Sequence, residues 1–227
     1  MPFSQNLTPQ IRDELAKKII VPLVGPSSVG KTTIMRAVVE NDSDFHRSSG
    51  FTTRPMRNGE QPDTYRFLDN TNEERTKILQ QFERGELIQF AIHPTTGFLY
   101  GTSMDDYRGK YNILDTLSSE VINFQALGFA ACQTIMIVAS PADWQARFDS
   151  RHFTDDETAK RITEGFHSIH WGFEQENGVR WVENKEGRLA DTIDHIIAIA
   201  KNQMHENDDH AHRVGADLLN HLSRKSA

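Results

Sequence analysis

The sequence predicts an α/β fold, a parallel sheet flanked by helices with an inserted small β-containing subdomain, on three observations. Short apolar runs at 19–24, 111–115, 134–139 and 179–182 alternate with helical stretches, and such alternation implies parallel strands. The first run leads directly into Gly25-Pro26-Ser27-Ser28-Val29-Gly30-Lys31-Thr32, which fits the phosphate-binding loop pattern G-x-x-x-x-G-K-[ST] at every fixed position and is followed by a helical stretch. Between the first two core strands, residues 50–103 carry strand and helix signals of their own.

Taken in order, Thr8-Pro9 reads as a helix N-cap with a first-turn proline, opening a short polar helix through residue 18 that precedes the first strand. After the loop, the helix runs to about residue 41. Thr71-Asn72-Glu73-Glu74 is a capping box for a helix that places Ile78, Leu79 and Phe82 on one face and stops at Gly85. Strands are expected at 87–92 and, after a turn with Pro94 and Gly97, at 98–103. The strand at 111–115 ends in the carboxylate Asp115, and a helix at about 118–127 stops at Gly128. Ser140-Pro141-Ala142-Asp143 caps a helix bearing Arg147 and Arg151, and a long helix follows from the acidic turn 154–157 through Arg161 toward residue 176. A last strand and an amphipathic helix at 189–204 precede a polar tail with a short helix at 216–222. The tail histidines His205, His210, His212 and His221 match no closed ligand spacing and lack cysteine partners, so a solvated or partner-packing tail is expected instead of a metal site.

Composition bounds what the chain can do. Its 227 residues suit one α/β domain with insertions, and 37% apolar with 25% charged content is globular and rather polar. A formal charge of -7 argues against general affinity for nucleic-acid backbones or anionic membranes, so a phosphate ligand must be held by local arginines. The one cysteine, Cys132, lies among small and apolar residues and reads as a buried structural thiol in a reducing compartment. The N-terminal residues lack signal-peptide character and no run reaches membrane-spanning length, so a soluble cytoplasmic protein is expected.

The loop residues carry a specific chemistry. Glycines let the backbone fold tightly enough for successive N–H groups and the helix N-terminus to converge on phosphate oxygens. Gly25, Ser27, Ser28, Val29, Gly30 and Lys31, with Thr32 and Thr33, are therefore the expected ATP-binding set. Lys31 reaches the β- and γ-phosphates, and the Thr32 hydroxyl is placed to ligate the accompanying magnesium.

Together with Thr52-Thr53-Arg54-x-x-Arg57-x-Gly59-Glu60, Tyr65, Phe67, Tyr100-Gly101-Thr102-Ser103, Ile113-Leu114-Asp115 and the series Arg147, Arg151 and Arg161, the chain from about 19 to 204 resembles guanylate kinases, nucleoside monophosphate kinases with a phosphate-binding loop. The resemblance implies phosphoryl transfer from ATP with Mg2+, most simply ATP and GMP to ADP and GDP, by a monomer or homodimer. It implies that Arg54, Arg57 and Tyr65 bind the acceptor phosphate, that Tyr100 also touches it, and that Gln89 and Thr102 face the base. The alternative for the two arginines is a surface turn in which they are solvated or paired with Glu60 and Asp63. Asp115 is then the carboxylate that orients magnesium or supports the loop, or else a helix N-cap. Arg147, Arg151 and Arg161 match a helical lid and its flank that closes over the donor phosphates, and Asn184 matches an adenine-side asparagine. Lys31, Arg54, Arg151 and Arg161 form the catalytic set. The implied organisation is an N-terminal extension (1–18), core (19–49), acceptor-binding subdomain (50–103), core (104–145), lid (146–160), core (161–205) and polar C-terminal tail (206–227).

Three departures bear on the acceptor. Gly50 replaces a serine that in the family helps hold the phosphate, Gln89 replaces a glutamate that accepts from the guanine N1–H and amino groups, and Leu117 replaces a second aspartate two places beyond Asp115. Buried polar mismatches discriminate strongly between ligands, so two alternatives follow: a kinase of the same fold with another nucleotide or a phosphorylated sugar as acceptor, or a non-catalytic binding module, against which the intact Gly30-Lys31-Thr32 speaks.

Overall fold

The computed structural model describes residues 7–56, 60–92, 96–175, 178–203 and 209–226. Thr8 caps α1 (Pro9–Leu15), its hydroxyl accepting from the Ile11 N–H at 3.4 Å. The apolar run β1 (Ile19–Val24) is buried from Ile20 onward, as a strand covered on both faces must be, and the loop then feeds α2 (Lys31–Asn41). After β2 (Phe45–Arg47) come β3 (Phe51–Thr52), β4 (Arg66–Phe67), α3 (Asn72–Glu83), β5 (Leu87–Ile92) and β6 (Leu99–Ser103). The chain returns through β7 (Tyr111–Asp115), α4 (Val121–Ala126), β8 (Ala131–Cys132), β9 (Thr134–Val138), α5 (Pro141–Asp149), α6 (Asp155–Glu174), β10 (Val179–Glu183), α7 (Leu189–Ala200) and α8 (Asp209–Ser226).

The core sheet has the order β10-β9-β1-β7-β2, with β8 beside β1, and every pairing in it is parallel. Parallel strands need crossovers, and the helices supply them, which puts α2, α6 and α7 over a core of branched aliphatics and the fully buried Trp144. The second sheet, β4-β3-β6-β5, is mostly antiparallel and forms the inserted subdomain with α3. β1 and β7 lie adjacent at the centre of the core sheet, so their C-terminal ends, the loop and Asp115, open into one cleft.

Three segments of the expected organisation take definite form. The N-terminal segment is built in: Leu7 and Leu15 are buried with Ile20, Ile88, Tyr107 and Phe124 in a cluster shared by core and subdomain. Residues 146–160, the expected helical lid, comprise the end of α5, the connection 150–154 and the start of α6. The polar tail is largely α8, packed along α6 and against β10 and α5. Its buried Ala211, Val214, Leu218 and Leu222 recur at helical spacing, and the histidines and charges between them mask the stripe. His212 stacks edge-on against Phe173 (4.6 Å) and Trp181 (5.1 Å), and His221 against Trp144 (5.7 Å), so these two histidines are packing groups; His205 lies outside the described residues. Cys132 is half-buried, its Sγ 3.8 Å from the Thr134 hydroxyl, and burial pushes the thiol up. Among the described residues no helix is long and apolar enough to cross a membrane.

Candidate active site

The loop is held from beneath by three side chains from elements that follow it. Asn184, just after β10, donates from Nδ2 to the Val29 carbonyl at 2.8 Å, and Trp144 on α5 donates from Nε1 to the Ser27 carbonyl at 2.8 Å. Arg161 on α6 donates to the Ser27 hydroxyl at 3.0 Å and lies over the Phe153 ring at 4.2 Å. Gly30 caps α2 with φ +98°, and a Cβ there would stand 2.3 Å from Asn184 Nδ2, so glycine alone closes this turn. Ser28 also has a positive φ of 70°, and its hydroxyl, like Arg161 Nε, is buried without a partner among the described residues. Strain and unsatisfied polar groups concentrated on one loop mark a place prepared for a ligand.

Lys31 folds back on the loop. Its Nζ donates to the carbonyls of Gly25 (2.6 Å) and Pro26 (2.9 Å) and stands 3.7 Å from Asp115 Oδ1. The first turn of α2 holds no acidic residue, which leaves the helix N-terminus open to an anion. A cavity of about 250 Å³ here is bordered by Lys31, Thr32, Thr33, Asp115, Arg151 and Arg161. On the far side of the loop a second cavity, about 460 Å³, is bordered by Arg147 and Asn184; Arg147 donates to the Asn184 carbonyl at 3.1 Å and pairs with Glu186 at 2.8 Å.

Across the cleft the subdomain presents a third cavity, about 320 Å³, lined in part by Gly50, Tyr65, Gln89, Thr102, Asp115 and Glu120. Arg54, 7% exposed, forms a two-bond ion pair with Glu60, one bond at 2.7 Å, and its guanidinium lies over the rings of Tyr65 (5.3 Å) and Phe67 (5.4 Å). Asp63, the other carboxylate expected beside the arginines, instead takes Arg36 at 2.7 Å and Arg47. Arg57 lies outside the described residues. Tyr65 and Tyr100 meet edge to face at 6.1 Å, and burial raises the Tyr65 phenol above its ordinary pKa. At the floor, the buried Tyr107 donates to Thr102 Oγ1 (3.1 Å), which donates to Gln89 Oε1 (3.3 Å). The absent serine at position 50 has a backbone cause: φ is +66°, and a Cβ would meet the Gly101 carbonyl oxygen at 2.8 Å.

Asp115 borders both the loop cavity and the subdomain cavity. Desolvation by the cleft walls pushes its carboxyl above the ordinary range, with Lys31 pulling the other way, although 46% of the side chain remains accessible. The Thr32 hydroxyl and the Asp115 carboxylate are hard oxygen donors beside an anion cradle. Among the described residues no group of three or more His, Cys, Asp or Glu side chains is placed to hold an ion. Two such oxygens fit a magnesium that draws its other ligands from water and phosphate.

Trp144, Tyr107 and Glu120 carry no motif and were missed in the sequence. Ser140-Pro141 signals the start of α5, which does fix Trp144 one turn into a helix after a core strand, but not which way its ring turns.

No family model matches the chain. Among curated proteins, the guanylate kinase of Schizosaccharomyces pombe is 30% identical over 151 residues, which cover 63% of this chain and 67% of that protein. The guanylate kinase of Nostoc sp. is 34% identical over 99 residues (43% of this chain, 46% of that protein), and that of Mycobacterium tuberculosis 40% identical over 76 residues (33% and 34%). The chain thus spans half or less of the length of these last two relatives. A crystal structure of guanylate kinase from Anaplasma phagocytophilum superposes with a TM-score of 0.50 at 18% identity, covering 83% of this chain and 86% of that one, a likeness of fold.

Proposed function

The chain belongs to the guanylate kinase family, and on that premise we propose that it transfers the γ-phosphoryl group of ATP to a nucleoside monophosphate, with GMP as acceptor. The observation that carries this reading is Asp115, shared by the loop cavity and the subdomain cavity, so that a triphosphate end in one would meet a monophosphate in the other. Lys31 leaves the carbonyls of Gly25 and Pro26 for the β- and γ-phosphates, while Arg151 and Arg161 offset the charge of the transferred group. Arg147 and Asn184 border the space for the rest of ATP. Arg54, released from Glu60, holds the acceptor phosphate with Arg57, Tyr65 and Tyr100, and Gln89 and Thr102 meet the base. Thr32 and Asp115 would hold magnesium, which neutralises phosphate charge when bound. Closure of the two halves excludes water, so that ATP is not spent on hydrolysis. This reading takes the protein as a cytoplasmic monomer or homodimer whose partners are nucleotides.

The second reading, a kinase of the same fold with another nucleotide or a phosphorylated sugar as acceptor, is favoured by the Gln89 oxygen being engaged by Thr102. The test is ADP formation from magnesium-ATP against GMP, dGMP, AMP, IMP, XMP, CMP, UMP and ribose bisphosphate precursors, with Lys31→Ala as the blank. Turnover centred on GMP supports the first reading, and turnover centred elsewhere supports the second. Absence of Lys31-dependent turnover on every acceptor sinks both.

A further inference from the structure

One amide in the subdomain cavity has its orientation set from behind. Tyr107 is fully buried, and the partner of its hydroxyl among the described residues is Thr102 Oγ1. A buried O–H without an acceptor is costly, so Tyr107 donates; burial also holds its phenol far above the usual range and keeps the proton in place. Thr102 then spends its own proton on Gln89 Oε1. What Gln89 offers to the cavity is therefore its Nε2 donor, which has no protein partner among the described residues.

A donor at this place cannot read adjacent N–H groups of a base, so an acceptor must come from elsewhere in the cavity. Two carboxylates border it. Asp115 stands at the phosphate end, 3.7 Å from Lys31. Glu120 is carried in by the 3₁₀ turn Ser118–Glu120, beside the buried Phe124, and its Oε2 accepts from Asn123 Nδ2 at 3.1 Å.

We propose that Glu120 is the residue that selects the acceptor base, its carboxylate accepting from the ring N–H and the neighbouring 2-amino group of a 6-oxo-2-aminopurine while Gln89 Nε2 donates to the 6-oxo oxygen. A carboxylate complements two adjacent N–H groups and repels the ring lone pair that a 6-aminopurine presents at the same edge. The inference rests on reading this cavity as the acceptor site.

The test is equilibrium binding of GMP, IMP and AMP to the full chain, to Glu120→Ala and to the shape-conserving Glu120→Gln, with thermal melting to confirm that each variant is folded. The wild-type chain is expected to favour GMP over IMP by about 10-fold or more, since a site built for a polar group discriminates against its absence, with AMP weakest. Glu120→Ala brings the GMP-to-IMP ratio close to one, and Glu120→Gln lowers it part of the way. An unchanged ratio in both variants, tighter binding of AMP than of GMP, or no binding of GMP overturns the proposal. ADP formation measured on the same samples separates this from the kinase reading. GMP bound through Glu120 without phosphoryl transfer sinks the kinase and leaves Glu120 standing, and turnover of GMP indifferent to Glu120 does the reverse.

Discussion

Asn184 grips the Val29 carbonyl from below at 2.8 Å, and the same amide nitrogen lies where a Cβ on residue 30 would fall. The asparagine and the turn of the phosphate-binding loop are thus fitted to one another: the side chain fills the space that glycine leaves, and the backbone carbonyl takes its proton. A residue after the last core strand thereby sets the shape of a loop that follows the first.

Asn184→Ala leaves that buried carbonyl without its donor, a loss of about 1–3 kcal/mol. The expected result is a melting temperature lower by several degrees together with weaker ATP binding, read by calorimetry and by titration. Intact ATP affinity in a destabilised variant would mean that the loop holds its ligand-ready shape without this tether.

Lys31→Ala is expected to lower kcat by about 100-fold or more, because the charge that follows the transferring phosphoryl group is removed. Stability is expected to change little, since Lys31 and Asp115 both border the cavity, where water can replace their 3.7 Å contact. Steady-state kinetics with a melting curve on the same sample checks both halves of the expectation.

Arg54 and Glu60 neutralise one another in a nearly buried pair, with side chains 8% and 13% exposed. On the proposed function, Arg54→Ala takes a partner from the acceptor phosphate, and it also removes the two-bond ion pair with Glu60. KM for the monophosphate is expected to rise far more than KM for ATP, with a stability loss of about 1.5–3 kcal/mol from the lost charge-assisted hydrogen bonds. Equal effects on the two KM values would assign Arg54 to the fold alone.

Asp115 makes one contribution to the pH dependence of stability. Desolvation raises its carboxyl pKa in the folded chain, so the fold binds this proton more tightly than the unfolded chain does. Ionising it therefore costs stability, a penalty absent below the unfolded value of about 3.9 and complete once pH passes the higher folded value. Asp115→Asn removes the penalty, and the variant is expected to melt above the wild type at pH 7, to converge with it below about pH 4, and to lose activity. Paired melts across that range decide it; a variant less stable at pH 7 would show that the Lys31 attraction outweighs desolvation.

What could be read from residues alone was whatever the backbone dictates locally. The loop was legible because its glycines sit at fixed spacing and its strand and helix follow from periodicity, and the caps at Thr8, Thr71 and Ser140 follow from one side chain and one N–H. Long-range polar partnerships were not. Nothing in the vicinity of Trp144 says that its N–H will reach the Ser27 carbonyl, and nothing near Tyr107 says that it will orient Gln89. The pairing of Arg54 with Glu60 was one of two readings open to a turn rich in both charges, and local sequence does not choose between them.

The full extent and packing of the C-terminal helix, expected only as a short helix at 216–222, were hidden for a different reason, and it makes the sharpest stability prediction. Four buried positions in α8, Ala211, Val214, Leu218 and Leu222, are interleaved with histidines, acids and amides, so average polarity conceals a stripe whose spacing is regular. Gly215 belongs to the same face, since a Cβ there would stand 2.4 Å from Trp181 Cζ3. With this helix part of the core, Leu218→Ala opens a cavity at a fully buried site and costs about 2–5 kcal/mol, roughly a 4–20 °C fall in melting temperature for a chain of this size. Asn220→Ala, two residues on and exposed, should change stability by under about 0.5 kcal/mol. Equal, small effects at the two positions would return α8 to the status of a solvated tail; a large asymmetry makes it the element that ties α5 and α6, and with them Trp144 and Arg161, to the phosphate-binding loop.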